Sequence, residues 1–344
     1  MLELLGKQIE DRIKYPAVKD VYLEWEKRGL LEESLSFLGT LPENDAEVVA
    51  HSLVAHVHRE KSLFMDLVGD NLGIEEDVRK PVAVSSDILW ALSLMIDDIE
   101  DQDSVRGNLP SCWAKYGKGE TIGAAFSTLG SLTRYLADRS QNKHIRSACM
   151  HYVALGLRSI TEHKYMDLDT PIGVIVSNYE NRCDFHATLQ IAVFHDLILK
   201  GRYPDLRDKT IAGFRCINRA GQLINDLKDI AQGDIYERGF SDIRNGVPTV
   251  PLIYLYRNLN TWQTRAFLNM FGKGYVNTEE RQLLNSMVSD SKVIERTMAR
   301  IGDEYEKGLE FLSVVIDDPS LLWFERWVGY KKSSFLVQLS SIDK

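Results

Sequence analysis

Apolar segments with helical spacing run through this chain almost from end to end, and two of them finish in a cluster of carboxylates. LWALSLMI leads into Asp97, Asp98, Ile99, Glu100 and Asp101, and AGQLI leads into Asn225, Asp226, Leu227, Lys228 and Asp229. Each cluster reads acid or amide, acid, two spacers, acid, so its first and last members lie one turn apart on the same helix face. Strand-type alternation is sustained almost nowhere, which predicts an all-α bundle of about ten to twelve helices around a central apolar cavity. The expected helices span roughly 2–14, 44–68, 78–101, 119–137, 143–165, 174–199, 205–232, 249–258, 279–315 and 319–340. Turn-forming segments such as GTLPEND, GDNLG, RGNLPS, DTPIG and DDPS separate them, and Pro251 suits a first helical turn.

With 344 residues, 44% of them hydrophobic, the chain can bury a large core. No linker, repeat or shift in composition divides it, so residues 1–344 are expected to form a single domain. The net charge of -9 argues against a nucleic-acid partner, which demands a basic face. The opening MLELLGKQIEDRIKYP mixes charges with its apolar residues, unlike a signal peptide or membrane span, and the expected location is cytoplasmic. Cys112, Cys149, Cys183 and Cys216 form no CxxC pair and read as reduced core thiols. His51, His56 and His58 lack a metal-ligand partner set and read as ordinary surface or core histidines.

One acidic run alone is ordinarily a solvated helix face. A second with the same spacing, at the end of another apolar helix, changes that, because carboxylates in such places are costly without partners. Two facing carboxylate walls need cations between them, and hard oxygen donors suit Mg2+, which leaves part of its shell to water and substrate phosphates. Asp97, Asp98, Asp101, Asn225, Asp226 and Asp229 are therefore the candidate metal ligands, and the chemistry is metal-assisted work on a diphosphate. Trp90, Ser93 and Leu94 lie below Asp97 at helical spacing, Trp90 by two turns or roughly 10 Å. With Leu89 beside them and Phe185 from another segment, they are the expected lining of an apolar well for a hydrocarbon chain.

DDIEDQDSVRGNLPSCWAKYG, GQLINDLKD and ERGFSDIRNGVPTVPLIYLY resemble, in order and spacing over roughly 75–258, the two aspartate-rich motifs and their sequels in trans-prenyl diphosphate synthases. The resemblance implies the all-α isoprenoid synthase fold, a homodimer, and about three Mg2+ ions held by the acidic residues once diphosphate is bound. It further implies that Gln222, Arg106, Arg182 and Arg238 serve the diphosphate. An allylic C–O bond ionises when the charge developing on the leaving diphosphate is neutralised by cations in a preorganised site. Ordinary chain elongators direct the resulting cation to isopentenyl diphosphate, which they hold with a Gly-Lys-Arg-x-Arg-Pro segment, a histidine before the first cluster and one arginine of an Arg-Arg pair after it. Here EEDVRKP keeps only Arg79, Lys80 and Pro81, SSDILWALSLM has no histidine, and Arg106 is followed by Gly107. Where the family has a Lys-Thr pair, His186 and Ala187 stand.

These departures lead to the expectation of a C15 or C20 allylic diphosphate that is ionised and then cyclised, as in terpene synthases. Asn225 resembles the Asn-Asp start of their metal motif, although Gly233 stands where that motif ends in glutamate. Three alternatives remain: chain elongation of the farnesyl or geranylgeranyl type, with Arg79 and Lys80 as substitute contacts; prenyl transfer to a peptide or aromatic acceptor; and a non-catalytic partner subunit.

Overall fold

The computed structural model describes residues 4–140, 168–171, 174, 204–231 and 239–340. Among them, a single two-stranded hairpin interrupts an otherwise all-α fold, as the periodicity predicts. The expected helices 143–165 and 174–199 lie outside the described residues. The chain divides into two compact units, Met1–Val153 with Thr188–Thr210 and Ser313–Arg326, and Ala154–Ala187 with Ile211–Leu312 and Trp327–Lys344.

The first unit contains α1 (Leu5–Glu10), α2 (Pro16–Lys27), α3 (Leu30–Leu38), α4 (Glu43–Ala55), α5 (Glu60–Asn71) and α6 (Glu76–Glu100). The hairpin β1 (Val105–Arg106) and β2 (Leu109–Pro110) follows, then α7 (Cys112–Tyr116) and α8 (Lys118–Ser140). α6 is central and packs on α3, α4, α5 and α8. That is why its middle is buried all round, Val82, Ala83, Val84, Ile88, Leu92 and Met95 together with the polar Ser85, Ser86 and Asp87. Helices α2 and α3 were not expected; α2 starts with Pro16 at its first turn, and Gly29, at φ +74°, turns the chain into α3.

The helix expected over 44–68 is two helices, broken between His56 and Arg59 without any glycine or proline. The cause is Arg59, fully buried, whose guanidinium folds back to donate to the carbonyls of Leu53 at 2.6 Å, His56 at 2.9 Å and His58 at 2.9 Å. A cation on the last carbonyls of a helix satisfies them and suits the helix dipole. Asp87 supplies the countercharge and accepts from the Ser62 hydroxyl.

Burial pushes the Asp87 carboxyl up to about 6, against the pull of Arg59. The unfolded acid titrates near pH 4, so the native state holds this proton more tightly and stability is lost as pH rises through about 6. Relative to Asp87→Asn, which does not titrate, the wild type is expected to lose on the order of 3 kcal/mol between acid and neutral pH. Urea unfolding of both proteins across that range measures the difference, and parallel pH profiles would overturn it.

The remaining elements are α9 (Pro204–Ala231), α10 (Ser241–Asn245), α11 (Val250–Tyr256), α12 (Thr261–Met270), α13 (Thr278–Ser291), α14 (Val293–Leu312) and α15 (Asp318–Ser340). Leu223, Leu227, Ile230, Phe240, Leu252 and Phe267 belong to the core of the second unit. α12 and α13 open on capping boxes, Asn260 with Gln263 and Asn277 with Glu280. The expected helix 279–315 is divided at Lys292, which turns left-handed at φ +54°.

Candidate active site

The first acidic cluster forms the last turn of α6, and Asp101 caps its end. Trp90, Ser93, Ile96 and Asp97 are half-buried, whereas Leu89 and Leu94 sit in the core, so the expected pocket residues divide between two environments. Asp98 is buried, while the Asp97 side chain is 42% exposed. Arg106 bridges them: Nε donates to Asp98 Oδ1 at 2.7 Å, and Nη2 reaches Asp98 Oδ1 at 2.6 Å and Asp97 Oδ2 at 3.2 Å. Burial raises the Asp98 carboxyl, Arg106 pulls it back, and Asp97 adds to the rise. Burial draws the Arg106 guanidinium down, but Asp98 outweighs it and the net direction is upward. An internal cation thus offsets the mutual repulsion of adjacent carboxylates, and Asp97 remains the more accessible of the two.

Arg106 owes its position to the hairpin, in which Val105 faces Pro110 and Arg106 faces Leu109. The two tip residues are left-handed, Gly107 at φ +55° and Asn108 at φ +62°, which matches the twist of a two-residue hairpin. A Cβ on Gly107 would overlap the carbonyl oxygen of Ala55. The tip therefore cannot carry the second arginine of an Arg-Arg pair without being rebuilt. Gly-Asn between two short extended pairs was the signal of this turn, and it was read only as a helix break.

Trp90 does not form a purely apolar floor. Its Nε1 donates to His56 Nε2 at 2.9 Å, and the Lys61 ammonium lies 4.3 Å above its ring. Sequence alone assigned His56 no role beyond that of an ordinary histidine and did not mark Lys61, because the break that brings both beside Trp90 is unsignalled. The idea that Arg79 and Lys80 replace diphosphate contacts meets a physical objection. Arg79 donates to Asp66 at 2.9 Å and lies 3.4 Å from Asp70, and Lys80 pairs with Glu76 one turn away.

In the second cluster, Gln222, Asn225, Asp226 and Asp229 share one face of α9. Gln222 Nε2 donates to Asp226 Oδ1 at 2.9 Å, and Asn225 is exposed. Asp229 has a different task from its counterpart Asp101. Its Oδ1 accepts from the Ser241 N–H at 2.8 Å and hydroxyl at 2.7 Å, and its Oδ2 accepts from the Asp242 N–H at 3.1 Å. Burial raises this carboxyl, and the bonds from Ser241 and Asp242 oppose the rise. Burial also lowers Lys228, aided by Lys331, to about 8. Arg182, Arg238 and Phe185 lie outside the described residues.

Among the described residues, no set of three or more carboxylate, imidazole or thiol groups is gathered tightly enough to hold an ion by itself. The carboxylates at the end of α6, Asp97 with its side chain 42% exposed and Asp98 beside it, are hard oxygen donors of the kind Mg2+ takes one or two of, completing its shell with water and phosphate oxygens. The chain matches the sequence model of the polyprenyl synthetase family over residues 46–288. It belongs to that family. It is 24% identical over 247 residues to a geranylgeranyl diphosphate synthase of Methanosarcina mazei, a match covering 70% of this chain and 74% of the relative. Among solved structures, a decaprenyl diphosphate synthase from Rhodobacter capsulatus superposes with a TM-score of 0.82 at 12% identity, over 92% of this chain and 99% of that one. A polyprenyl synthase from Caulobacter crescentus, complexed with calcium and isoprenyl diphosphate, gives 0.80 at 13% identity over 92% and 97%. The fold is thus the all-α one of these synthases, and the protein is a polyprenyl synthetase family enzyme of prenyl diphosphate chemistry. Among the described residues no helix is long and apolar enough to cross a membrane.

Proposed function

We propose that this enzyme elongates an allylic prenyl diphosphate with isopentenyl diphosphate. The observation that carries the ionisation step is Asp97, accessible at the end of α6 beside a guanidinium already seated on Asp98. Elongation rather than the expected cyclisation is supported by the relatives, which are named for long prenyl diphosphate products, geranylgeranyl and decaprenyl diphosphate, rather than for cyclic ones. Bound Mg2+ would supply Lewis-acid neutralisation of the leaving diphosphate. Asp97, Asp98 and Asp101 from one motif, and Asn225, Asp226 and Asp229 from the other, are the residues that would hold it. Asp98 keeps Arg106 in place, and Gln222 orients Asp226. Arg106, Arg182 and Arg238 would contact the diphosphate, while Leu89, Trp90, Ser93, Leu94 and Phe185 would flank the hydrocarbon chain. Residues 1–344 act as one catalytic domain in a cytoplasmic homodimer; coverage of nearly all of a solved synthase by 92% of this chain supports the single domain.

A second reading, ionisation of a C15 or C20 substrate followed by cyclisation, is favoured by Gly107, whose turn excludes a second arginine. Incubation with Mg2+ and C10, C15 or C20 allylic diphosphates, with and without isopentenyl diphosphate, separates the two by mass spectrometry. Longer linear diphosphates that form only with isopentenyl diphosphate are the expected result. A hydrocarbon or alcohol formed without it would overturn elongation in favour of cyclisation. Turnover of no allylic substrate would sink both.

A further inference from the structure

The carbonyls at the end of α4 are taken by two arginines from different directions. Arg59 serves Leu53 from within the core, and Arg12, just after α1, donates through Nε to the Val54 carbonyl at 3.1 Å. The Nη2 of Arg12 donates to the Gly107 carbonyl at the hairpin tip. The tip in turn lies so close on Ala55 that only glycine fits at 107. We propose that Arg12 is a positioning residue: by bridging Val54 and Gly107 it clamps the hairpin tip to the end of α4, and so keeps Arg106 seated against Asp97 and Asp98.

A hairpin with two residues in each strand has little stability of its own. This one is secured at its exit, where His51 Nε2 donates to the Pro110 carbonyl at 2.8 Å, and at its base, where the Ser111 N–H donates to the Ser104 carbonyl at 2.9 Å. Arg12 secures the tip. Gly107 is the next residue after Arg106, so a tip that lifts from α4 carries the guanidinium away from the buried Asp98. Arginine suits the task because its planar fork can donate to two carbonyls at once, whereas a lysine ammonium acts as a point charge. Arg12 also lies before the segment matched by the family, residues 46–288, so the clamp comes from outside that segment.

The test uses hydrogen exchange on the free, full-length enzyme together with steady-state kinetics, and only the kinetics rest on the function proposed above. Arg12→Met is expected to speed exchange of the amides in residues 104–111 roughly tenfold, the scale of one charge-assisted hydrogen bond. Protection within α6 and α8 and the thermal midpoint should stay near wild type. The KM for the allylic diphosphate should rise roughly fivefold with a smaller change in kcat, since binding rather than chemistry loses a prepositioned partner. Arg12→Lys should fall between, and Gly107→Ala, with Arg12 intact, should loosen the same amides. Unchanged hairpin exchange in Arg12→Met, or exchange that rises equally through α6 and α8, overturns the clamp. If Arg12→Met fails to fold, Arg12→Lys and Gly107→Ala decide by the same criteria. A wild-type enzyme that turns over no allylic diphosphate defeats the functional reading, while hairpin exchange still decides the clamp.

Discussion

Asp97→Ala is expected to cost at least about a thousandfold in kcat/KM on any allylic diphosphate the enzyme accepts, because charge neutralisation at the leaving group is the step proposed for it. The fold should hardly notice. The side chain is 42% exposed, and its contact with Arg106, at 3.2 Å, is the longest of the three that the guanidinium makes with Asp97 and Asp98. Losing such an exposed ion pair costs under about 1 kcal/mol. Asp98→Ala should behave differently, since Asp98 is buried and is the main partner of Arg106. Removing it strands a largely buried cation, at a cost of about 3 kcal/mol or more in stability. Thermal melts and steady-state rates on the two variants measure both quantities. An Asp97→Ala enzyme that keeps more than about a tenth of wild-type activity would remove Asp97 from the site.

What could be read in advance was local and repeated. The approach of α6 and α9 to their acidic ends needed only apolar spacing followed by carboxylates, and both helices are found close to where that spacing placed them. Features set by a distant partner were not legible. The break after Ala55 depends on Arg59 finding a countercharge in Asp87, 28 positions further on by their numbering, and leaves no glycine or proline behind. Arg12 reaches Gly107 through space, and nothing in IEDRIKYP signals it. Arg79 and Lys80 looked like remnants of a phosphate site because motif matching counts charges without asking what already neutralises them. Glu76, one turn before Lys80 on α6, is legible from spacing alone, whereas the pairing of Arg79 with Asp66 and Asp70 needs the packing of α5 on α6 to be known.

Asp229 carries the same letter as Asp101 at the same place in its motif, yet it should behave as an anchor of the fold. Asp229→Ala is expected to destabilise the protein by about 3 kcal/mol or more, because two backbone N–H groups and a hydroxyl lose their acceptor. The loss should centre on α10, whose entry residue Phe240 is held left-handed at φ +64° and donates to the Asp229 carbonyl at 3.0 Å. Asn225→Ala should show the opposite pattern, with stability near wild type and turnover abolished, because Asn225 is exposed and the task proposed for it is the metal and leaving group. Urea unfolding separates the two variants, and exchange at the amides of Ser241 and Asp242 locates the damage. A carboxylate has about four acceptor positions, and described residues occupy three of those on Asp229, so among the described residues one is left for a cation or its water. Magnesium titration tells the two roles apart. If lost folding explains the defect of Asp229→Ala, excess Mg2+ restores little turnover; substantial rescue, with Ser241 and Asp242 still protected, would make Asp229 a metal ligand first.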